Sequence, residues 1–66
     1  LEGKDKPVDV GDVYEVKIED VGKRGDGVAK VNGFVIFVPE AEKGDKVLVR
    51  IVSVRDTYAI GRIVEI

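Results

Sequence analysis

From Val13 to Asp20 the chain alternates, with Tyr14, Val16 and Ile18 on one side and Glu15, Lys17 and Glu19 on the other. A period of two puts successive side chains on opposite faces, so this segment reads as a half-buried strand. Residues 1–12 lack that period and are broken by Pro7 and Gly11. They predict a flexible arm over 1–10, a turn at Val10–Asp12, and a folded domain over 11–66.

Two further strands, Val28–Val31 and Phe34–Val38, flank Asn32-Gly33. Asn-Gly between apolar runs is a strong hairpin signal, because a two-residue type I′ turn needs positive φ at both positions. That turn fixes a register: Val31 opposes Phe34, Lys30 opposes Val35, Ala29 opposes Ile36, and Val28 opposes Phe37. Lysine must keep its ammonium in water, so Lys30, Val28, Val35 and Phe37 share the outer face. Ala29, Val31, Phe34, Ile36 and Val38 then face inward.

The seven residues from Pro39 to Asp45 leave room for one helical turn ended by Gly44. A fourth strand spans Lys46–Val54, with Val47, Val49 and Ile51 inward and Arg50 outward. The fifth, Tyr58–Ile66, places Ala59, Gly61 and Ile63 inward and Tyr58, Ile60 and Arg62 outward. Five short strands cannot fill two packed sheets. Closing one sheet into a small barrel, of OB-like or SH3-like kind, covers the apolar face and removes most exposed edges.

Composition supports the all-β reading: 20 of the 66 residues are valine or isoleucine, side chains that fit a pleated sheet and crowd a helix. A domain of this size hides only about 60% of its unfolded surface and has little interior for a buried catalytic pocket. With no cysteine, neither disulfides nor thiolate metal sites are available. No apolar run reaches the roughly 18 residues of a membrane span and no secretory leader is seen. A cytoplasmic protein without a membrane partner is expected.

Net charge is −2, but the charges are segregated. Residues 1–20 hold three Lys against seven Asp and Glu, whereas 21–38 and 50–62 are each +2. The first basic window contains Lys23, Arg24 and Lys30; the second contains Arg50, Arg55 and Arg62; all six are candidate nucleic-acid contacts. If the fold joins them, an acidic protein presents a basic patch, and local potential outweighs the total for a ligand.

Enzyme chemistry finds little support. Gly22 and Gly27 have the spacing of a Walker loop's glycines, but Val28 and Ala29 stand where its Lys and Ser or Thr belong. Without histidine or cysteine, Ser53 and Thr57 have no base to activate them, and no calcium loop is spelled out. No catalytic residue, cofactor, metal or small-molecule substrate is expected. What remains is aromatic and cationic side chains on a barrel surface, the combination that binds single-stranded nucleic acid by stacking and phosphate contact. Phe37 and Tyr58 are the outward rings; Tyr14 points to the core, and Phe34 falls on the core face near the barrel rim. Lys23 and Arg24 fit either a solvated loop or a phosphate contact. Strand order of OB type would set the first and fourth loops around one face, with Arg55 joining Lys23 and Arg24 at its edge.

The order of segments from Gly11 to Ile66 closely resembles a TRAM domain, particularly small archaeal proteins made of little else. The resemblance is carried by "GDGVAKVNGFVIFVP" (Gly25–Pro39), "GDKV" (Gly44–Val47) and "YAIGRI" (Tyr58–Ile63). It implies a five-stranded OB-like barrel that binds RNA, with Lys30, Phe34, Phe37 and Tyr58 at positions expected to contact it. Ile60 stands where many members have an aromatic residue, so one stacking platform is expected to be missing. The expected function is that of a monomeric RNA-binding protein with cold-shock-like chaperone action on tRNA or other structured or single-stranded RNA. Two alternatives stay open: an SH3-like barrel for a peptide or protein partner, and a tRNA-targeting module excised from an RNA-modifying enzyme.

Overall fold

A computed structural model of the chain describes residues 8–64. It contains β1 (Val13–Lys17), β2 (Asp20–Val21), β3 (Asp26–Val31), β4 (Phe34–Pro39), β5 (Lys46–Val54) and β6 (Tyr58–Ile63). These form one sheet in the order β1-β5-β6-β4-β3-β2. All neighbours are antiparallel except β4 and β6, which run parallel.

The strands at the two ends of that order, β1 and β2, are pieces of the single strand expected over Val13–Asp20. Between them the chain changes partner: the Ile18 amide donates to the Asp45 carbonyl at 2.8 Å, and the Glu19 amide donates to the Val28 carbonyl at 2.7 Å. One segment therefore pairs first with β5 and then with β3, which curls the sheet back on itself. Six strand segments make the five strands of an OB-like barrel. Closure satisfies backbone groups that an open edge would leave bare.

The hairpin adopts the expected geometry and register. Asn32 and Gly33 have φ of 53° and 82°, and pairing runs from Val31↔Phe34 through Lys30↔Val35 and Ala29↔Ile36 to Val28↔Phe37. Inside the barrel, Val16, Ile18, Ala29, Ile36, Val38, Val49, Ile51 and Ala59 are buried. Each large one contributes roughly 1.5–3 kcal/mol relative to exposure.

Other parts depart from expectation. Strand β3 begins at Asp26, two residues early, because Gly27 is a strand residue in a crowded spot: a Cβ there would lie 2.7 Å from the Ala41 Cβ and 3.0 Å from the Ile18 Cγ2. The helical turn expected between Pro39 and Asp45 is absent. Glu40 and Gly44 instead take left-handed φ of 64° and 91°, so the chain dips to bury Ala41 at the barrel end and returns. In β5 a bulge between Ile51 and Ser53 shifts the register, setting Ser53 opposite Ile60 and Val54 opposite Ala59; alternation reverses there, and Val54 packs on the core.

The first seven residues of the expected arm, and the end of the fifth strand at residues 65–66, lie outside the described residues. Val8, which alternation assigned to the arm, is buried. Gly11 and Asp12 prolong the pairing of β1, the Gly11 amide donating to the Ile51 carbonyl and the Ile51 amide to that of Asp12.

Candidate nucleic-acid interface

Residues paired across neighbouring strands share a face. Pairing therefore sets Lys30, Val35 and Tyr58 in one outward row across β3, β4 and β6, with Val28, Phe37 and Ile60 in the next. Lys30 is exposed; the other five are half-buried. Phe37 and Tyr58, in adjacent rows of adjacent strands, meet with ring centroids 5.3 Å apart and planes at 73°. Such a T-shaped contact contributes about 0.5–1.5 kcal/mol and restrains both rings before any ligand arrives.

The cations lie at the two ends of this face. Lys30 and Arg55 occupy the end near the Asn32-Gly33 turn, because β4 and β6 are parallel and Val35 opposes Tyr58; the Arg55 amide donates to the Tyr58 carbonyl at 2.7 Å, closing the β5–β6 hairpin. Lys23 and Arg24 are exposed at the other end, in the Gly22–Gly25 turn that feeds β3 where Asp26 opposes Pro39. That turn is held by the Gly25 amide donating to the Gly22 carbonyl at 3.0 Å. The expectation that Arg55 joins Lys23 and Arg24 at one edge is thus not met. At about 3.3 Å per residue, the length of β3 sets them roughly 17–20 Å apart, with the rings between.

Arg62 follows Ile60 on the same side of β6 and opposes Arg50 across β5. Both are exposed, and both line a shallow groove of about 680 Å³ walled by Pro39 and Glu40. Among the described residues, no ion pair ties Lys23, Arg24, Lys30, Arg50, Arg55 or Arg62 to a carboxylate. Phe34 is not part of the ring cluster. It opposes Val31 on the inward side of β4 and packs, half-buried, against the core at the rim.

Tyr14 also packs against the core, and its hydroxyl donates to the Asp12 Oδ2 at 2.9 Å. That hydrogen bond, with partial desolvation and the negative charges of Asp12 and Asp9, raises its pKa above 10.0. The same oxygen accepts the Asp9 amide at 3.1 Å, so this tyrosine braces the start of β1. Among the described residues no polar or charged side chain is buried, and no cluster of three or more acidic, histidine or cysteine residues could hold a metal. Alternation missed the apolar floor of Val28, Val35 and Ile60 as a surface in its own right, although its period carried the signal.

A family model, the TRAM domain, matches residues 7–64. The chain belongs to the TRAM domain family. A TRAM relative from Methanocaldococcus jannaschii, an uncharacterized protein, is 53% identical over 53 residues, covering 80% of this chain and 69% of that protein. The solution structure of a conserved Methanococcus maripaludis protein superimposes with a TM-score of 0.86 at 48% identity, covering 92% of this chain and 87% of that one. The ribosomal RNA large subunit methyltransferase E of Haloarcula marismortui is 49% identical over 59 residues, 89% of this chain but 22% of the methyltransferase. The chain thus spans 69% and 87% of these two archaeal proteins and under a quarter of that enzyme's length. No helix among the described residues is long and apolar enough to cross a membrane.

Proposed function

We propose that this chain binds RNA on the outer face of β3, β4 and β6, with weak, sequence-tolerant contacts of the kind that let an RNA chaperone hold bases apart and release them. TRAM membership, and relatives within RNA methyltransferases, support a general RNA-binding role. The observation that carries the specific reading is the Phe37–Tyr58 ring pair, with Tyr58 in the row of the exposed Lys30 and Phe37 in the next, on a protein whose net charge is negative.

A base stacks on these rings while Lys30 and Arg55 at one end, and Lys23 and Arg24 at the other, meet phosphates. Stacking is worth about 1–3 kcal/mol per base and tolerates any base, because every base has a π-face. Phe34 stays out of this footprint, since it lies on the other side of β4. No reacting group belongs to this scheme, and the protein acts as a monomer without cofactor.

The test uses an unstructured RNA oligonucleotide and a weak RNA hairpin carrying a fluorophore and quencher. Binding of the oligonucleotide should weaken with salt, log K falling with log salt by roughly 0.7 for each phosphate contact, and the hairpin should open as protein is added. Salt-independent binding would overturn the phosphate contacts. A hairpin that stays closed at saturating protein would overturn the chaperone action.

A further inference from the structure

The exposed large apolar side chains among the described residues are Val10, Val13, Val52 and Val64; Val52 and Val64 line the groove with Arg50 and Arg62. Val13 opposes Arg50 across β1 and β5, and Arg50 opposes Arg62 across β5 and β6, so these three point outward in one row. Val52 stands two residues after Arg50 in β5, and Val64 just beyond the end of β6, its amide donating to the Leu48 carbonyl at 2.8 Å. Val10 stands in the turn just before Gly11, which bonds to Ile51.

Like charges directly opposite each other on a sheet repel. Their juxtaposition, with no carboxylate partner among the described residues, is explained if an anionic ligand sits between them. Glu40 is the one carboxylate of the groove lining, which leaves the groove positive. The rim decides what kind of anion. Bases stack on aromatic rings, and this surface has none; a clustered aliphatic patch is instead the mark of protein contact. A second copy docked through the same groove by a two-fold axis would add only another positive groove, whose lining offers Glu40 as its one carboxylate.

We propose that the valine-rimmed groove at Arg50 and Arg62 is a docking site for a protein segment of alternating acidic and aliphatic side chains. Its carboxylates take the guanidinium forks, which match carboxylate geometry in pairs of hydrogen bonds. Its aliphatic side chains cover Val13, Val52 and Val64. The groove adjoins the ring face where Arg62 follows Ile60 along β6, so the test must separate the two ligands.

The test follows amide shifts of the labelled full chain with three probes: a short peptide alternating glutamate and leucine, its glutamine–leucine counterpart, and oligouridylate. The glutamate peptide should shift Val13, Arg50, Val52, Arg62 and Val64, and should bind about ten-fold or more tightly than the glutamine peptide. The double variant Arg50→Gln, Arg62→Gln, with amide dispersion intact, should lose about the same factor, and Val52→Ser should weaken the peptide without touching RNA binding. Equal binding of both peptides, or no shifts at this face, would overturn the proposal. So would shifts of these residues by oligouridylate alone, which would make the groove an extension of the nucleic-acid face.

Discussion

The inner and outer sides of β3, β4 and β6 are built from alternating residues of the same strands, yet they answer to different constraints. Inward, Ala29, Ile36 and Ala59 form a layer that excludes solvent entirely, and Gly61 has room for no more, since a Cβ would lie 3.3 Å from both Ile36 and Val49. Outward, one residue along each strand, Lys30, Phe37 and Tyr58 keep contact with water. A step of one residue thus separates what holds the barrel from what meets a ligand. Substitutions on the first side should act through stability, and those on the second through binding.

The largest effect is expected inside. Ile36→Ala should destabilise the protein by about 2–5 kcal/mol through lost burial and a cavity, seen as a lower denaturation midpoint, with RNA affinity of the folded fraction unchanged. Gly27→Ala should cost roughly 1–3 kcal/mol, because its new methyl would meet Ala41 at 2.7 Å. Outside, Phe37→Ala or Tyr58→Ala should weaken RNA by about 1–3 kcal/mol while moving the denaturation midpoint far less than Ile36→Ala. Lys30→Gln should lower the salt slope by about 0.7 with little other change. An inner substitution that altered affinity but not stability would break the division.

The smallest effect concerns the brace at β1. Tyr14 has its pKa raised chiefly by its hydrogen bond to Asp12, so the contribution of that bond is complete below the ordinary tyrosine pKa of 10.0 and is lost as pH rises through the raised value. In an ultraviolet titration, Asp12→Asn should bring this phenol's ionisation to lower pH; an unmoved titration would assign the shift to burial instead.

The hairpin and its faces were legible because Asn32-Gly33 encodes its own turn and Lys30 labels the outer side. Phe37 followed from the same parity, and Tyr58 from the outward Arg62 of its own strand. The rest depended on partners distant in sequence. The switch at Ile18 and Glu19 is invisible in an unbroken alternation, since it reflects which strand lies alongside. The burial of Val8 and Ala41 closes the barrel's ends, which exist only once the sheet has curled. The bulge after Ile51 leaves only a slight mark, the adjacent Ile51-Val52 before Ser53, which breaks the alternation without saying which strand accommodates the extra residue. The distance between Arg55 and the Lys23–Arg24 turn rests on the parallel pairing of β4 with β6, which no local pattern specifies.

The most direct test of the RNA-binding face is an amide chemical-shift titration with a single-stranded RNA oligonucleotide at low and high salt. Shifts should concentrate on Lys30, Val35, Phe37, Tyr58 and Ile60, spread to Lys23, Arg24 and Arg55, and shrink at high salt. Shifts that spare β3, β4 and β6, or their absence at both salt concentrations, would contradict the account.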